Sequence, residues 1–165
     1  MVGEMIQKTL DYVDSNVKED ITAEELAEVA GYSVFHFYRL FQSAVGIPVM
    51  QYVLRRKLLY VIYEIGLKRK KNDVIYEYGF ETYSGFYRAF IREIGYTPAQ
   101  YLRDYKARKP YRINVYQEEH IMVSNKLISE VLVNWGLQRD RIGYRLSGNR
   151  RDQRFCKVCR KQYGD

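Results

Sequence analysis

A short aromatic motif occurs twice in this chain, and the repeat limits the folds that the chain can adopt. Phe-Tyr-Arg-Leu-Phe at residues 37–41 recurs as Phe-Tyr-Arg-Ala-Phe at residues 86–90, 49 positions later. A glycine and a Gln-Tyr pair also recur at this offset, at Gly46 and Gly95 and at 51–52 and 100–101. Because a repeat at a constant offset indicates a duplicated structural unit, the sequence predicts two copies of one supersecondary motif.

The first copy has the signals of two helices joined by a glycine turn. Thr22 followed by Glu25 forms a capping box, which predicts that a helix begins here and runs to about Ala30. Gly31 can adopt the positive φ that a tight turn needs. Ser33 is a favourable N-cap for the next helix. The sequence therefore predicts a helix-turn-helix unit.

The second copy follows the same plan. It begins near Asn72 and Asp73, turns at Gly79 and continues as a helix from Thr82. In both copies the second helix carries an apolar stripe with helical spacing, at Phe37, Leu40, Phe41, Ala44 and Val45 and at Phe86, Ala89, Phe90 and Ile94. Each stripe predicts a face packed on a core, which leaves the opposite face free to contact a ligand.

The segment between the two copies is predicted to form a single helix. Pro48 opens it, and no further glycine or proline occurs before Gly66. At 1.5 Å per residue such a helix spans roughly 27 Å. Successive turns on one face of B-DNA lie about 34 Å apart. The spacing therefore favours DNA over other polyanions as the ligand of the two free faces.

The net charge of +7 also fits a polyanionic partner, because clustered lysines and arginines release counterions when they meet phosphates. Two basic runs are candidates for such contacts: Arg55, Arg56 and Lys57 in the linker, and Lys68, Arg69, Lys70 and Lys71 before the second unit. We predict that these side chains neutralise phosphates beside the grooves. A solvated basic surface is the alternative for each of them.

Several other classes of protein lack support in the sequence. There is no apolar stretch of about 18 residues and no signal-peptide layout, so we expect a cytoplasmic protein without a membrane partner. Cys156 and Cys159 form one CxxC, and the only histidines are His36 and His120, so we expect no metal and no cofactor. The common nucleophile, phosphate-binding and dinucleotide-binding motifs are absent, which predicts that the chain is not an enzyme.

Four stretches carry a resemblance to a known family, at residues 26–33, 39–41, 51–58 and 79–101. On these stretches residues 22–104 resemble the DNA-binding domain of the AraC/XylS family of transcription regulators. The resemblance implies an all-α fold of about seven helices, in which two helix-turn-helix subdomains are joined by one long linker helix. It also implies bacterial transcription regulation, by activation, with double-stranded DNA and RNA polymerase as partners.

The resemblance places the base-reading residues on the second helix of each unit. These are Val34, Phe35, Tyr38 and Arg39 in the first unit and Tyr83, Ser84, Tyr87 and Arg88 in the second. All eight lie off the apolar stripes, and an arginine on such a face can donate two hydrogen bonds to guanine O6 and N7. The aromatic residues could instead complete the core, and this alternative stays open for Phe35, Tyr38 and Tyr87.

The sequence pattern changes after Tyr105. We predict a DNA-binding domain over residues 1–106, the start of a second and incomplete domain over 107–137, and a basic flexible tail over 138–165. The middle segment has the pattern of a strand over Arg112–Tyr116 and of a helix over Ser124–Trp135. We expect these two elements to form a short strand and helix extension of the all-α domain.

Two functions fit these features. The first is a sequence-specific regulator that places two recognition helices in successive major-groove segments, as a monomer or weak dimer. The second is a truncated or remnant regulator that binds DNA nonspecifically, or acts as an interaction or competitor protein. A strong salt dependence of binding without sequence discrimination would favour the second.

Overall fold

Seven α-helices form the part of the chain that the computed structural model describes, residues 2–105 and 108–114. They are α1 Val2–Ser15, α2 Ala23–Ala30, α3 Val34–Val45, α4 Val49–Gly66, α5 Lys71–Glu77, α6 Tyr83–Ile94 and α7 Pro98–Asp104. These ranges contain no strand. The predicted all-α fold with two helix-turn-helix subdomains and a long linker helix is confirmed.

Both predicted glycine turns have the backbone conformation that ends a helix abruptly. Gly31 has φ of 77° and Gly79 has φ of 81°, in the left-handed region that glycine adopts without steric cost. The Tyr32 N–H donates to the Ala27 carbonyl at 3.0 Å, and the equivalent bond of the second unit measures 3.1 Å. The repeat in the sequence is therefore also a repeat in the backbone.

The two recognition helices begin differently. Thr82 accepts a hydrogen bond at its hydroxyl from the Gly85 N–H at 3.0 Å, which caps α6. Ser33 holds the same position before α3, as predicted, but its hydroxyl makes no capping hydrogen bond in the described structure. The predicted capping box of Thr22 and Glu25 is present at the start of α2.

This difference leads to a prediction about stability. Thr82→Ala should lower the free energy of unfolding by about 1 kcal/mol, because it leaves an N–H group of α6 without its side-chain acceptor. Ser33→Ala is the matched control and should cost less. Urea denaturation followed by circular dichroism would measure both losses. Equal losses for the two variants would contradict the difference in capping.

Two apolar cores lie on either side of α4. The first is built from α1, α2, α3 and one set of α4 residues, and the second from another set of α4 residues with α5, α6 and α7. The repeat extends to aromatic contacts: Phe41 and Tyr52 have ring centroids 5.9 Å apart, and the equivalent Phe90 and Tyr101 are 5.6 Å apart. Each unit therefore has its own core, and α4 belongs to both.

The linker helix α4 is buried on several sides, unlike a helix at the surface. Its buried residues are Val49, Tyr52, Val53, Arg55, Arg56, Leu58, Leu59, Val61, Ile62 and Ile65. They occupy positions all around the helix because both units pack against it. Within the described ranges, no helix is long and apolar enough to cross a membrane.

After α7 the chain returns to the first unit. Ile113 is buried in the first core, and its carbonyl accepts a hydrogen bond from Gln7 Nε2 of α1 at 3.0 Å. Residues 112–114 of the predicted strand Arg112–Tyr116 have no regular secondary structure, because these contacts run to helices and not to a neighbouring strand. Residues 115–116, the predicted helix Ser124–Trp135 and the predicted tail 138–165 lie outside the described residues.

Candidate nucleic-acid interface

The predicted base-facing residues of α3 lie opposite its buried stripe. Phe37, Phe41 and Val45 are buried in the first core. Val34, Phe35 and Arg39 are exposed, and Tyr38 is half-buried. The structure therefore brings the four predicted residues together on the solvent side of α3.

Phe35 and Arg39 contact each other on this surface. The Arg39 guanidinium carbon lies 5.6 Å from the centre of the Phe35 ring, one helical turn away. Phe35 is 73% exposed, so it does not complete the core. Tyr38 differs, because it packs partly against the first core with its ring 6.3 Å from that of Phe37. Tyr38 thus both supports α3 and borders the exposed face.

The predicted residues of α6 form a similar surface with different chemistry. Tyr83, Ser84 and Arg88 are exposed and Tyr87 is half-buried, and together the four line one shallow depression. The rings of Tyr83 and Tyr87 lie 5.9 Å apart. This face therefore offers two phenolic hydroxyls, a serine hydroxyl and a guanidinium to a ligand.

The repeat allows the two faces to be compared position by position. Arg39 corresponds to Arg88, so each helix presents one arginine at the same place. Phe35, which lies under Arg39, corresponds to Ser84. The two faces share a cationic donor but differ in apolar surface, so the same ligand would not satisfy both equally.

Two of the predicted phosphate contacts are buried in ion pairs and must be corrected. Arg56 is 2% exposed, and its Nε and Nη2 donate to the two carboxylate oxygens of Asp14 at 2.7 and 2.9 Å. Arg55 is 7% exposed and donates from Nε to Glu93 Oε2 at 2.9 Å. Because these charges are removed from solvent and already paired, we exclude both arginines from the phosphate-contacting set.

The pairing of Asp14 with Arg56 links α1 to the middle of α4. Burial raises the pKa of the Asp14 carboxyl, and the Arg56 guanidinium opposes that rise. Arg56 Nη2 also donates to the Tyr111 carbonyl at 3.1 Å, which ties the returning segment to the same site. One buried arginine therefore holds three parts of the first unit together.

The pairing of Glu93 links α6 to the beginning of α4. Glu93 Oε2 accepts hydrogen bonds from Gln51 Nε2 and Arg55 Nε, each at 2.9 Å, and Oε1 accepts one from Arg92 Nε at 2.9 Å. Burial raises the pKa of Glu93, but the hydrogen bonds from these three donors outweigh it and hold the pKa below its ordinary value. Glu93 is therefore a carboxylate that α4 anchors in its charged form.

The other predicted phosphate contacts fall into two groups. Arg69 is engaged by the carboxylates of Glu64 and Glu77, and Lys57 is half-buried and donates to the Glu19 carbonyl at 2.8 Å. Burial lowers the pKa of Lys57, against the opposing effect of nearby carboxylates. Lys68, Lys70 and Lys71 are exposed, as Arg69 is, but they have no carboxylate partner among the described residues. These three lysines are the cations of the two runs that are exposed and form no ion pair within the part of the chain that the structure describes.

Sequence reasoning missed Asp14 and Glu93, the carboxylate partners of the linker arginines, and Gln51, which also donates to Glu93. A signal for them existed in α4. Its apolar residues surround the helix, so charged residues among them are expected to be largely removed from solvent, and a buried charge requires a partner. The sequence pattern does not identify the partners, because Asp14 lies 42 residues from Arg56 and Glu93 lies 38 residues from Arg55 along the chain.

Comparison with known proteins agrees with this geometry. A family model described as a helix-turn-helix domain matches residues 26–104, which covers α3 to α7 and most of α2. Over 98 residues the chain is 24% identical to the HTH-type transcriptional activator AarP of Providencia stuartii, an alignment that spans 59% of this chain and 73% of AarP. Residues 26–104 are therefore similar to a helix-turn-helix domain, and the relatives AarP and MarA agree with the resemblance to the AraC/XylS family.

Two further relatives in this AraC-type set cover different shares of their own length. The multiple antibiotic resistance protein MarA of Salmonella typhimurium is 28% identical over 99 residues, which are 58% of this chain and 76% of MarA. The uncharacterized HTH-type transcriptional regulator YbfP of Bacillus subtilis is 32% identical over 103 residues. Those residues are 58% of this chain but 33% of YbfP, so the chain spans only a third of that regulator.

The AraC-type relatives establish a coarse function for the domain. AarP and YbfP are named as transcription regulators, and the helix-turn-helix domain they share with this chain is a DNA-binding domain. The chain is therefore a DNA-binding regulator of the helix-turn-helix class.

Proposed function

We propose that this chain is a sequence-specific transcription regulator that inserts α3 and α6 into two successive major-groove segments of double-stranded DNA. One observation carries the proposal: two helices related by the repeat each bury one face in a core and expose an arginine, Arg39 or Arg88, on the other. A helix presented in this way fits the major groove of B-DNA.

Each exposed residue has a role that its chemistry supports. Arg39 and Arg88 donate bidentate hydrogen bonds to guanine O6 and N7, and Phe35 packs against the methyl groups of thymines. The tyrosine hydroxyls and Ser84 bond to base edges or phosphates. The exposed lysines at 68, 70 and 71 neutralise phosphates near the second unit, which strengthens binding without adding sequence information.

Because the two faces differ, the proposed site is asymmetric. A single chain carries two reading units, so it binds such a site as a monomer, without the two-fold symmetry of a dimer. Binding, and not catalysis, is the proposed activity, and it takes place on DNA in the bacterial cytoplasm. The name of AarP, a transcriptional activator, supports activation as the mode of regulation, and RNA polymerase is the partner that we propose for it.

The test is selection of bound sequences from a random DNA pool at physiological salt, for the wild type, Arg39→Ala and Arg88→Ala. We expect two enriched blocks about one helical turn, 34 Å, apart. Each variant should lose discrimination in one block only, by about 1 to 3 kcal/mol at the guanine concerned. Arg103→Ala removes an exposed arginine of α7 and is the control that should change neither block.

The other outcomes of this selection are informative. Two blocks that both survive in Arg39→Ala and Arg88→Ala would contradict the assigned residues. No enriched motif, together with binding that weakens steeply with salt, would contradict the proposal and favour the nonspecific or competitor function.

A further inference from the structure

Two adjacent arginines of the linker helix connect it to different units. Arg56 is paired with Asp14 of α1, which belongs to the first core, and Arg55 is paired with Glu93 of α6. Consecutive residues of an α-helix point about 100° apart, so neighbours in the sequence reach different sides. One buried ion pair thus orients α4 against the first unit, and the other orients it against the second recognition helix.

The contact at Glu93 restrains α6 at two points along α4. Gln51 and Arg55 lie one helical turn apart on α4, and both donate to the same carboxylate oxygen at 2.9 Å. Glu93 is 7% exposed, so water competes little for these bonds. Hydrogen bonds from two α4 residues to this carboxylate oppose both sliding of α6 along α4 and rotation of α6 about its own axis.

The first recognition helix does not need such a contact. The position of α3 that corresponds to Glu93 is Ala44, and only residues 46–48 separate α3 from α4 in the chain. The short connection itself fixes how α3 meets α4. The second recognition helix is different, because α5 and two turns lie between α4 and α6. Its orientation on α4 therefore depends on side-chain contacts.

We propose that Glu93 is a positioning residue that sets the distance between the two half-sites, the base-pair blocks that the two units contact. This proposal rests on the proposed function, because it assumes that α3 and α6 each bind one block. With Glu93 anchored, α6 is held at one place on α4 and only one spacing of the blocks fits both helices. Without that anchor, α6 shifts on its apolar core and accepts other spacings.

The experiment compares binding to DNA probes in which the selected blocks are separated by the selected spacer or by a spacer one base pair longer or shorter. For the wild type, we expect either change to weaken binding about tenfold or more, since a misplaced recognition helix loses contacts as a mismatched base pair does. For Glu93→Gln, we expect the three probes to bind within about threefold of one another. Base preferences within each block should stay unchanged.

Arg92→Gln is the matched control. Arg92 is largely exposed and donates to the other oxygen of Glu93, but it belongs to α6 itself and does not link α6 to α4. This variant should keep the wild-type spacer preference. Circular dichroism establishes that each variant is folded. If Glu93→Gln does not fold, Gln51→Ala removes one of the two α4 donors and should show a weaker spacer preference than the wild type.

Three results would overturn the proposal. One is a wild-type spacer preference in folded Glu93→Gln, or in Gln51→Ala where that variant replaces it. Another is an equal loss of spacer preference in Arg92→Gln, which would show that the link to α4 is not the cause. The third is a wild type without any enriched blocks, which would remove the proposed function as well. The first two leave the proposed function intact.

Discussion

Replacing Asp14 by asparagine is expected to lower the free energy of unfolding by about 3 to 5 kcal/mol, because the buried Arg56 then keeps its charge without a counter-ion. The ion pair is bidentate: two nitrogens of Arg56 donate hydrogen bonds to the two carboxylate oxygens of Asp14, at 2.7 and 2.9 Å. Arg56 is 2% exposed, so solvent cannot replace the lost carboxylate. Urea denaturation followed by circular dichroism at 222 nm would measure the loss.

Two variants serve as controls for this result. Glu4→Gln breaks the exposed pair of Glu4 and Lys8 on the same helix and should lower the stability far less than Asp14→Asn, because solvent screens an exposed pair. The double variant Asp14→Leu with Arg56→Met replaces the ion pair by apolar side chains and should recover most of the stability. A loss for Asp14→Asn as small as that for Glu4→Gln would show that the pair does not hold α1 on the linker helix.

Replacing Phe90 by alanine is expected to cost about 3 to 5 kcal/mol and to remove the second unit from DNA recognition. The Phe90 ring is fully buried between Phe86 and Tyr101, with centroids 5.6 Å from each, so the substitution leaves a cavity at the centre of the second core. Phe41→Ala is the matched change in the first core, where the ring lies 5.9 Å from both Phe37 and Tyr52.

The pair of variants tests whether the two cores act separately. Hydrogen exchange should show lost protection in α5 to α7 for Phe90→Ala and in α1 to α3 for Phe41→Ala. In DNA selection, each variant should lose the block assigned to its own unit. If both variants lose both blocks and unfold throughout, the units form a single cooperative structure and the two-core description is wrong.

Much of the fold could be predicted because its signals are local. The capping box at Thr22 and the glycines at 31 and 79 each determine the backbone conformation within a few residues. The repeat at an offset of 49 residues shows that such local signals occur twice. The helical spacing of Phe37 and Phe41 separates a buried from an exposed face in the same way, whatever the rest of the molecule does. For this reason the sequence alone predicts which faces of α3 and α6 are exposed.

The burial of the linker arginines could not be predicted from local sequence signals. Arg55, Arg56 and Lys57 form one basic run in the sequence, and a run of this kind usually lies in solvent. Whether a side chain in it is accessible depends on what packs against each side of the helix, and the partners Asp14 and Glu93 come from helices distant in the chain. The strand predicted from residue 112 is wrong over residues 112–114 for a similar reason. These residues contact helix α1, and an alternating sequence pattern does not show whether the neighbouring element is a helix or a strand.

Four properties follow from the amino-acid sequence alone: the duplicated helix-turn-helix plan, the turns, the helix that joins the two units, and the faces that each recognition helix exposes. These properties follow from backbone preferences and from the period of the α-helix, which act over a few residues. Tertiary packing determines which cations remain in solvent and which carboxylates hold the linker helix. It also places Phe35 under Arg39 and outside the core. Those outcomes depend on burial and on partners far apart in the chain, and the strength of a charge interaction changes with its exposure to water.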